Sequence, residues 1–250
     1  EVLEAQDRLM AAAMDMDGAS DAVGNRSEVI LETGEVVAGR VESIDEAGVR
    51  LVREDAEPVM IPTEIVKAVE LVPSAAGTIS PEKFRSLTTL PRAQRHLPPT
   101  HLVRSLAGDY LRGRLAGMDG ESLRITVDAD PRGNPLTLPR QDVARVIWLH
   151  PESLEDAWQP PTLADPSGLQ VEAWTSPTRR LRMGVTGIEG NVLVGTHPIL
   201  GTTRIDLERI DHLLVGGAVE ATPRRPPYAQ WQLRPAVEPR NLPPKKTPKP

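Results

Sequence analysis

The sequence GEVVAGRV at residues 34–41 recurs, with substitutions, as GDYLRGRL at residues 108–115. The likeness extends outward, so that residues 28–72 can be laid over residues 101–150 position by position. Near the end of each copy, a proline is followed by two valines at the same spacing: Pro62 with Val66 and Val69, and Pro139 with Val143 and Val146. The chain is therefore predicted to contain an internal repeat.

Each copy has the pattern of short, bent strands. Apolar and polar residues alternate through residues 36–41 and 49–51, which is typical of half-buried strands, and residues 45–48 and 119–122 have turn composition. The prolines follow a strand and suit the first turn of a short 3₁₀ segment, after which a closing strand begins. A unit of this length with these features is predicted to be a small SH3-like or Sm-like barrel.

A third, divergent copy is predicted at residues 169–221, where Met183-Gly184 replaces the Gly-Arg pair and Asp206 replaces the proline. The predicted fold class is mainly β, with tandem small SH3-like or Sm-like barrels, short helical linkers and a proline-rich C-terminal tail. The predicted organisation is residues 1–27 as an N-terminal helix and linker, 28–72 as barrel 1, 73–100 as a linker with a short helix, 101–150 as barrel 2, 151–168 as a linker, 169–221 as barrel 3 and 222–250 as the tail.

Two features lie outside the repeats. The linker contains Ser80-Pro81-Glu82, a helix N-cap followed by proline at the first helical position. The tail has nine prolines in 29 residues, so we expect it to be extended, polyproline-like and mobile. It is typical of a domain linker.

Composition excludes several classes of function. The chain has 250 residues, a formal net charge of −6 and no cysteine, so disulfides, thiol catalysis and thiolate metal sites within it are excluded. The negative charge disfavours nucleic-acid binding, because the average surface repels phosphate. No apolar run approaches the roughly 20 residues that cross a bilayer, so we expect no membrane span.

No motif assembles reactive groups. His96 and His101 are separated by Pro98-Pro99, which forbids the shared helix of a metalloprotease pair, and they are interpreted as solvated loop histidines. The acidic run at residues 128–130 has Pro139 where a calcium loop requires glutamate, and is interpreted as a turn. We therefore predict no catalytic residue, no cofactor and no metal site.

Five residues are candidates for contact with a partner: Arg40, Tyr110, Arg112, Arg114 and Trp148. The Gly-Arg pairs at residues 39–40 and 113–114 could present a basic row, or else the glycine permits a strand bend and the arginine is solvated. Trp148 could line a groove or fill a gap between barrels.

The phrases PPTHL (98–102), GDYLRGRL (108–115), LPR (138–140), IWLH (147–150), PYAQW (227–231) and PAVEP (235–239) resemble the repeat region upstream of thioredoxin-like (TlpA or redoxin type) domains in large bacterial envelope proteins. The resemblance covers roughly residues 28–239. It implies a non-catalytic barrel array in the cell envelope or periplasm. It also implies an adjacent thioredoxin-like domain as one possible partner.

The leading hypothesis is a non-catalytic binding or scaffolding region that positions a neighbouring domain or holds a protein or polymer partner. The alternative is an Sm-like nucleic-acid-binding protein, against which stand the negative charge and the absence of aromatics interleaved on a basic face. A third hypothesis is an accessory region of an enzyme that works only together with a thioredoxin-like partner.

Overall fold

The computed structural model describes residues 26–53, 57–73, 79–127, 133–150, 168–177, 179–221 and 227–236. Strands dominate these residues, and the helices are short, which confirms the mainly-β prediction. The predicted N-terminal helix and nearly all of the linker 151–168 lie outside the described residues. So do residues 222–226 and 237–250 of the predicted tail.

The structure contains three five-stranded units and a connecting segment. Unit 1 comprises β1 (Ser27–Leu31), β2 (Val36–Ile44), β3 (Gly48–Val52), β4 (Val59–Pro62), a 3₁₀ turn (Thr63–Ile65) and β5 (Val66–Glu70). The connecting segment has α1 (Pro81–Thr88), β6 (Thr89–Leu90) and a 3₁₀ turn (Arg92–Gln94). Unit 2 comprises β7 (His101–Ser105), β8 (Tyr110–Met118), β9 (Ser122–Thr126), β10 (Leu136–Pro139), a 3₁₀ turn (Arg140–Asp142) and β11 (Val143–Trp148). Unit 3 comprises β12 (Leu169–Trp174), β13 (Arg180–Glu189), β14 (Val192–His197), β15 (Gly201–Asp206), a 3₁₀ turn (Leu207–Arg209) and β16 (His212–Val215), followed by α2 (Gly217–Ala221) and β17 (Arg234–Pro235).

All three units have the same strand order. The orders are β5-β1-β2-β3-β4 in unit 1, β11-β7-β8-β9-β10 in unit 2 and β16-β12-β13-β14-β15 in unit 3, and every pairing is antiparallel. A 3₁₀ turn precedes the fifth strand in each, as predicted after Pro62 and Pro139. In unit 3, the Asp206 side chain caps this turn by accepting a hydrogen bond from the Glu208 N–H.

The second strand of each unit bends at a β-bulge. The register shifts between Val41 and Ser43 in unit 1, between Leu115 and Gly117 in unit 2, and between Val185 and Gly187 in unit 3. A bulge inserts one unpaired residue and increases the local bend and twist of the strand. The bulged strand therefore curves the hairpin over the core of its own unit.

A glycine and a large residue face each other inside each unit. A Cβ on Gly39 would approach Leu51 Cγ to 2.9 Å, and one on Gly113 would approach Ile125 Cγ1 to 2.9 Å. In unit 3 the sizes are exchanged, because Met183 replaces the glycine and Gly195 replaces the large residue, with its Cβ position 3.0 Å from Met183 Sδ. Close core packing explains why one small and one large residue are required at these two positions.

Units 1 and 2 form one ten-stranded sheet. β5 pairs with β11, with Val69 opposite Val146, and β2 pairs with β8, with Ile44 opposite Met118. Each pair joins residues at equivalent positions of the repeat, as an approximate two-fold axis requires. All four side chains belong to one hydrophobic cluster shared by both units, which also receives Leu200 of unit 3.

A second hydrophobic cluster covers the other face of β1, β5, β7 and β11. Its centre is Trp231, which packs edge-on against Phe84 of α1 and lies stacked on Tyr110. Ser80 caps α1 by accepting a hydrogen bond from the Lys83 N–H, as predicted. The prediction of an extended tail is wrong for residues 227–236, because Trp231 and Leu233 are buried in this cluster and β17 pairs with β6.

Candidate functional site

Three of the predicted contact residues hold the connecting segment. Arg112 donates hydrogen bonds to the backbone oxygens of Leu87 (3.1 Å) and Thr89 (2.7 Å) and to Gln94 Oε1 (3.0 Å). Arg114 donates to a backbone oxygen of the same segment, that of Leu97, at 3.2 Å. Tyr110 packs in the cluster around Trp231. The structure thus brings these three residues of β8 together beside the connecting segment.

The other two predicted residues lie elsewhere. Trp148 is buried, 4% exposed, and its ring lies edge-on to His101 with centroids 4.9 Å apart. His101 begins β7 and is partly buried, so its interpretation as a solvated loop histidine is wrong. Arg40 lies on β2 of unit 1, and half of its side chain is exposed. It is the member of the predicted set that lines the groove between units 1 and 3.

This groove has a volume of about 520 Å³ and is lined by strands β2 and β3 of unit 1 and by strands of unit 3. Its main property is charge, because the described residues that line it include seven arginines and one carboxylate, that of Asp206. We call it the arginine groove, and its arginines are Arg26, Arg40, Arg53, Arg179, Arg180, Arg204 and Arg209. Concave sites lined by one sign of charge concentrate ligands of the opposite sign.

The two walls of the arginine groove are joined by a buried carboxylate. Glu35, in the turn between β1 and β2, accepts hydrogen bonds from the backbone N–H of Arg182 and the hydroxyl of Thr33, both at 2.7 Å. His197 Nε2 lies 3.3 Å from the same side chain. Burial alone would raise the pKa of Glu35, but His197, Thr33 and Arg182 together outweigh it, and the pKa is lowered. A charged Glu35 therefore binds unit 3 to unit 1.

Arg180 provides a second connection between the same units. Its guanidinium donates to the backbone oxygens of Gly34 (3.2 Å) and Thr33 (3.0 Å) and lies over the Trp174 ring, 5.5 Å from the centroid. The side chain is almost fully buried. Arg180 thus contributes to the architecture of the arginine groove as well as to its charge.

The remaining arginines differ in whether they have a partner. Arg40 pairs with Glu42 (3.0 Å), Arg204 pairs with Glu189 (2.7 Å), and Arg179 contacts Glu28. Within the described part of the chain, no ion pair or side-chain hydrogen bond is made by the guanidinium groups of Arg26, Arg53 and Arg209. Burial lowers the pKa of Arg53, which is partly buried. An anionic ligand would offset this unfavourable burial.

Apart from the candidate Arg40, sequence analysis did not predict this groove. Its arginines are spread from residue 26 to residue 209, and no local motif groups them. Arg179 and Arg180 are adjacent, but a single pair of arginines does not predict a groove, and the other five lie far away in the sequence. Only the packing of unit 3 on unit 1 brings the set together.

A buried polar cluster, also unforeseen, joins units 1 and 2 to the C-terminal segment. Lys67 is fully buried, and its Nζ donates to the backbone oxygens of Trp148 (3.2 Å) and Trp231 (3.1 Å) and lies 3.7 Å from Glu32 Oε1. His150 Nε2 lies 2.7 Å from the same Glu32 oxygen. Burial lowers the pKa of Lys67, and Glu32 opposes this effect.

The geometry of this cluster favours a structural role. The ammonium group of Lys67 donates two hydrogen bonds to backbone oxygens and lies beside the Glu32 carboxylate in a fully buried position, so the nitrogen is not presented to a substrate. A cleft of about 380 Å³ lies beside it and is lined by His101, Trp148 and His150. Among the described residues, no group of three or more His, Asp or Glu side chains is arranged to hold a metal ion.

Neither the scan against protein-family models nor the search of curated proteins finds a match to this chain. In the parts of the chain that the structure describes, no helix has both the length and the apolarity needed to cross a membrane.

Proposed function

We propose that this chain is a non-catalytic binding and scaffolding region that holds an acidic segment of a protein partner in the arginine groove. The observation that carries the proposal is the lining of that groove, in which the described residues supply seven guanidinium groups and one carboxylate. The chain as a whole is acidic, with a net charge of −6, so the groove is a local reversal of its charge. Such a reversal steers a negatively charged partner to one place on the surface.

The non-charged lining favours a peptide over a nucleic acid as the occupant. Valine, leucine and isoleucine side chains from both units lie between the arginines, and none of the described residues that line the groove is aromatic. Sites for single-stranded nucleic acids combine a positively charged groove with aromatic rings on which the bases stack, and this groove lacks the stacking rings. A peptide that alternates acidic and apolar side chains would match both parts of the lining.

We also propose that each unit is a small SH3-like or Sm-like barrel. Support comes from the strand order common to all three units, the bulged second strand and the 3₁₀ turn before the fifth strand. A location in the cell envelope or periplasm, next to a thioredoxin-like domain, is the context that the sequence resemblance supplies for this role. In that context the acidic segment belongs to the neighbouring domain or to a protein bound beside it.

Binding of a labelled peptide tests the proposal. The probe is a short fluorescein-labelled peptide of alternating glutamate and valine, and binding is followed by fluorescence anisotropy at low salt. We expect the double variant Arg53→Gln, Arg209→Gln to weaken binding about tenfold to thirtyfold, because two ion pairs of roughly 1 kcal/mol each are lost. Arg95→Gln, which removes an exposed arginine outside the groove, is the matched control and should bind like the unmodified chain.

Three outcomes would contradict the proposal. They are absence of peptide binding at low salt, equal binding by the double variant, and equal weakening by the control. If a single-stranded RNA of the same charge binds more tightly than the peptide, the nucleic-acid alternative replaces the present proposal.

A further inference from the structure

Units 1 and 2 associate through a surface whose equivalent in unit 3 is exposed. In units 1 and 2, the association has two centres, the Val69–Val146 pair of the fifth strands and the Ile44–Met118 pair of the second strands. All four residues are at most 3% exposed. The corresponding positions of unit 3 follow from the repeat itself.

The equivalent of Val69 and Val146 is Leu213. Each of the three lies seven residues after the residue that caps the 3₁₀ turn, which is Pro62, Pro139 or Asp206. The equivalent of Ile44 and Met118 is Ile188, because each occupies the second paired position after the bulge in its strand. The pattern thus assigns one residue of unit 3 to each centre of the association.

Both equivalents are exposed in unit 3. Leu213 of β16 is 40% exposed, and Ile188 of β13 is 61% exposed. Val215, at the end of β16, is 44% exposed. Among the described residues, β16 pairs only with β12, so its other edge has no strand partner. The strand carries neither proline nor lysine, the residues that commonly protect a sheet edge from pairing.

The chain itself shows what fits such an edge. The fifth strands of units 1 and 2 pair antiparallel with equivalent residues opposite each other, so the surface is complementary to a copy of itself. Both of those strands are already paired on each side, with β5 between β1 and β11 and β11 between β5 and β7. Neither β5 nor β11 can therefore pair with β16, whereas the β16 strand of a second molecule can do so.

We propose that the protein forms a homodimer in which β16 of one molecule pairs antiparallel with β16 of a second molecule around a two-fold axis. Leu213 then lies opposite Leu213, and Ile188 opposite Ile188, as Val69 lies opposite Val146 and Ile44 opposite Met118. In this register His212 lies opposite Leu214, so no like charges meet beside the axis. The dimer continues the sheet of unit 3 and covers the exposed apolar residues.

Sedimentation equilibrium of the full chain tests the stoichiometry. We expect a dimer of twice the chain mass of 27.2 kDa. Leu213→Glu places two carboxylates next to each other at the axis and should raise the dimer dissociation constant at least a hundredfold while leaving the far-ultraviolet circular dichroism unchanged. Leu136→Glu is the matched control, because Leu136 is similarly exposed, at 48%, on the edge strand β10, and we expect it to stay dimeric.

The register is tested by cysteine cross-linking, which the absence of cysteine from the chain makes specific. Leu213→Cys should give a disulfide-linked dimer on oxidation, because directly opposite residues of antiparallel strands are within disulfide distance. Val215→Cys should not, because residue 215 lies opposite residue 211 in the proposed register. A monomer at every concentration, a dimer abolished by Leu136→Glu but not by Leu213→Glu, or preferential cross-linking through residue 215 would each overturn the proposal.

Discussion

The stability of the fold should depend on pH through His101, which begins β7. Its Nδ1 accepts hydrogen bonds from the Leu115 N–H (3.2 Å) and the Thr100 hydroxyl (2.8 Å), so the neutral ring carries its proton on Nε2. Burial, with a smaller contribution from the charge of His150, lowers the pKa of His101 from 6.5 to about 3. The folded protein therefore keeps this ring neutral where the unfolded chain would protonate it.

The size of the effect follows from linkage. Since the folded pKa is depressed, stability from this group is complete above pH 6.5 and is lost progressively as the pH falls towards 3. At pH 4.5 a shift of this size corresponds to about 2.7 kcal/mol. The ring borders an open cleft, where solvent screening reduces the effect, so we expect a loss of between about 1.5 and 2.7 kcal/mol on going from pH 7.5 to 4.5.

Urea unfolding followed by tryptophan fluorescence at these two pH values measures the loss. The asparagine of His101→Asn retains an oxygen that can accept the Leu115 N–H hydrogen bond, but it does not titrate. Between pH 7.5 and 4.5 the variant should therefore lose about 1.5 to 2.7 kcal/mol less stability than the unmodified chain. His96→Asn removes an exposed histidine of the connecting segment and should keep the original pH dependence. The reasoning is refuted if the unmodified chain and His101→Asn lose the same stability between the two pH values.

Three further substitutions test the architecture, each by urea unfolding. Lys67→Met should lower the free energy of unfolding by about 3 to 5 kcal/mol, because it leaves Glu32 as a buried charge without its cation. Adding Glu32→Gln should recover part of this loss. A Lys67→Met variant within about 1 kcal/mol of the unmodified chain would contradict the buried ion pair. Gly113→Ala should lower the free energy of unfolding by about 1 to 3 kcal/mol, because its Cβ would lie 2.4 Å from the Thr126 backbone oxygen. Gly120 has open space around it, so Gly120→Ala should change stability little. Equal effects of the two substitutions would refute the packing argument. Glu35→Gln should lower the free energy of unfolding by about 2 to 3 kcal/mol at pH 7. Because the pKa of Glu35 is lowered, this difference between the two proteins should vanish as the pH falls well below 4.5. A difference that does not depend on pH would show that the stabilisation does not come from the charge of Glu35.

The repeat was predictable because its signals are local. Alternating apolar residues, turn composition and the prolines at 62 and 139 each act over a few neighbours, and the strands, hairpins and 3₁₀ turns followed from them. The cap at Ser80 is local in the same way. The divergent third copy was also predicted, with Asp206 as a departure from the pattern, and the structure shows that Asp206 caps the turn at the position that proline occupies in the other two.

The sites depend on contacts between segments distant in sequence. Lys67 lies in a strand where its charge predicts a solvent-facing residue, and it is buried because unit 2 and the C-terminal segment cover that face. Trp231 lies in a proline-rich segment whose composition predicts an extended linker, but its large aromatic ring is buried in the second hydrophobic cluster. Composition describes what a segment does alone, and burial is decided by what covers it.

The amino-acid sequence alone determined the repeated unit, its mainly-β character and the positions of its turns, since each depends on backbone preferences and period-two patterning. Tertiary structure decided that units 1 and 2 share one core, that arginines from residues 26 to 209 line one groove, and that the matching edge of unit 3 is left exposed. The physical reason is that charge clusters and interfaces arise from the juxtaposition of surfaces, which no pattern among neighbouring residues encodes.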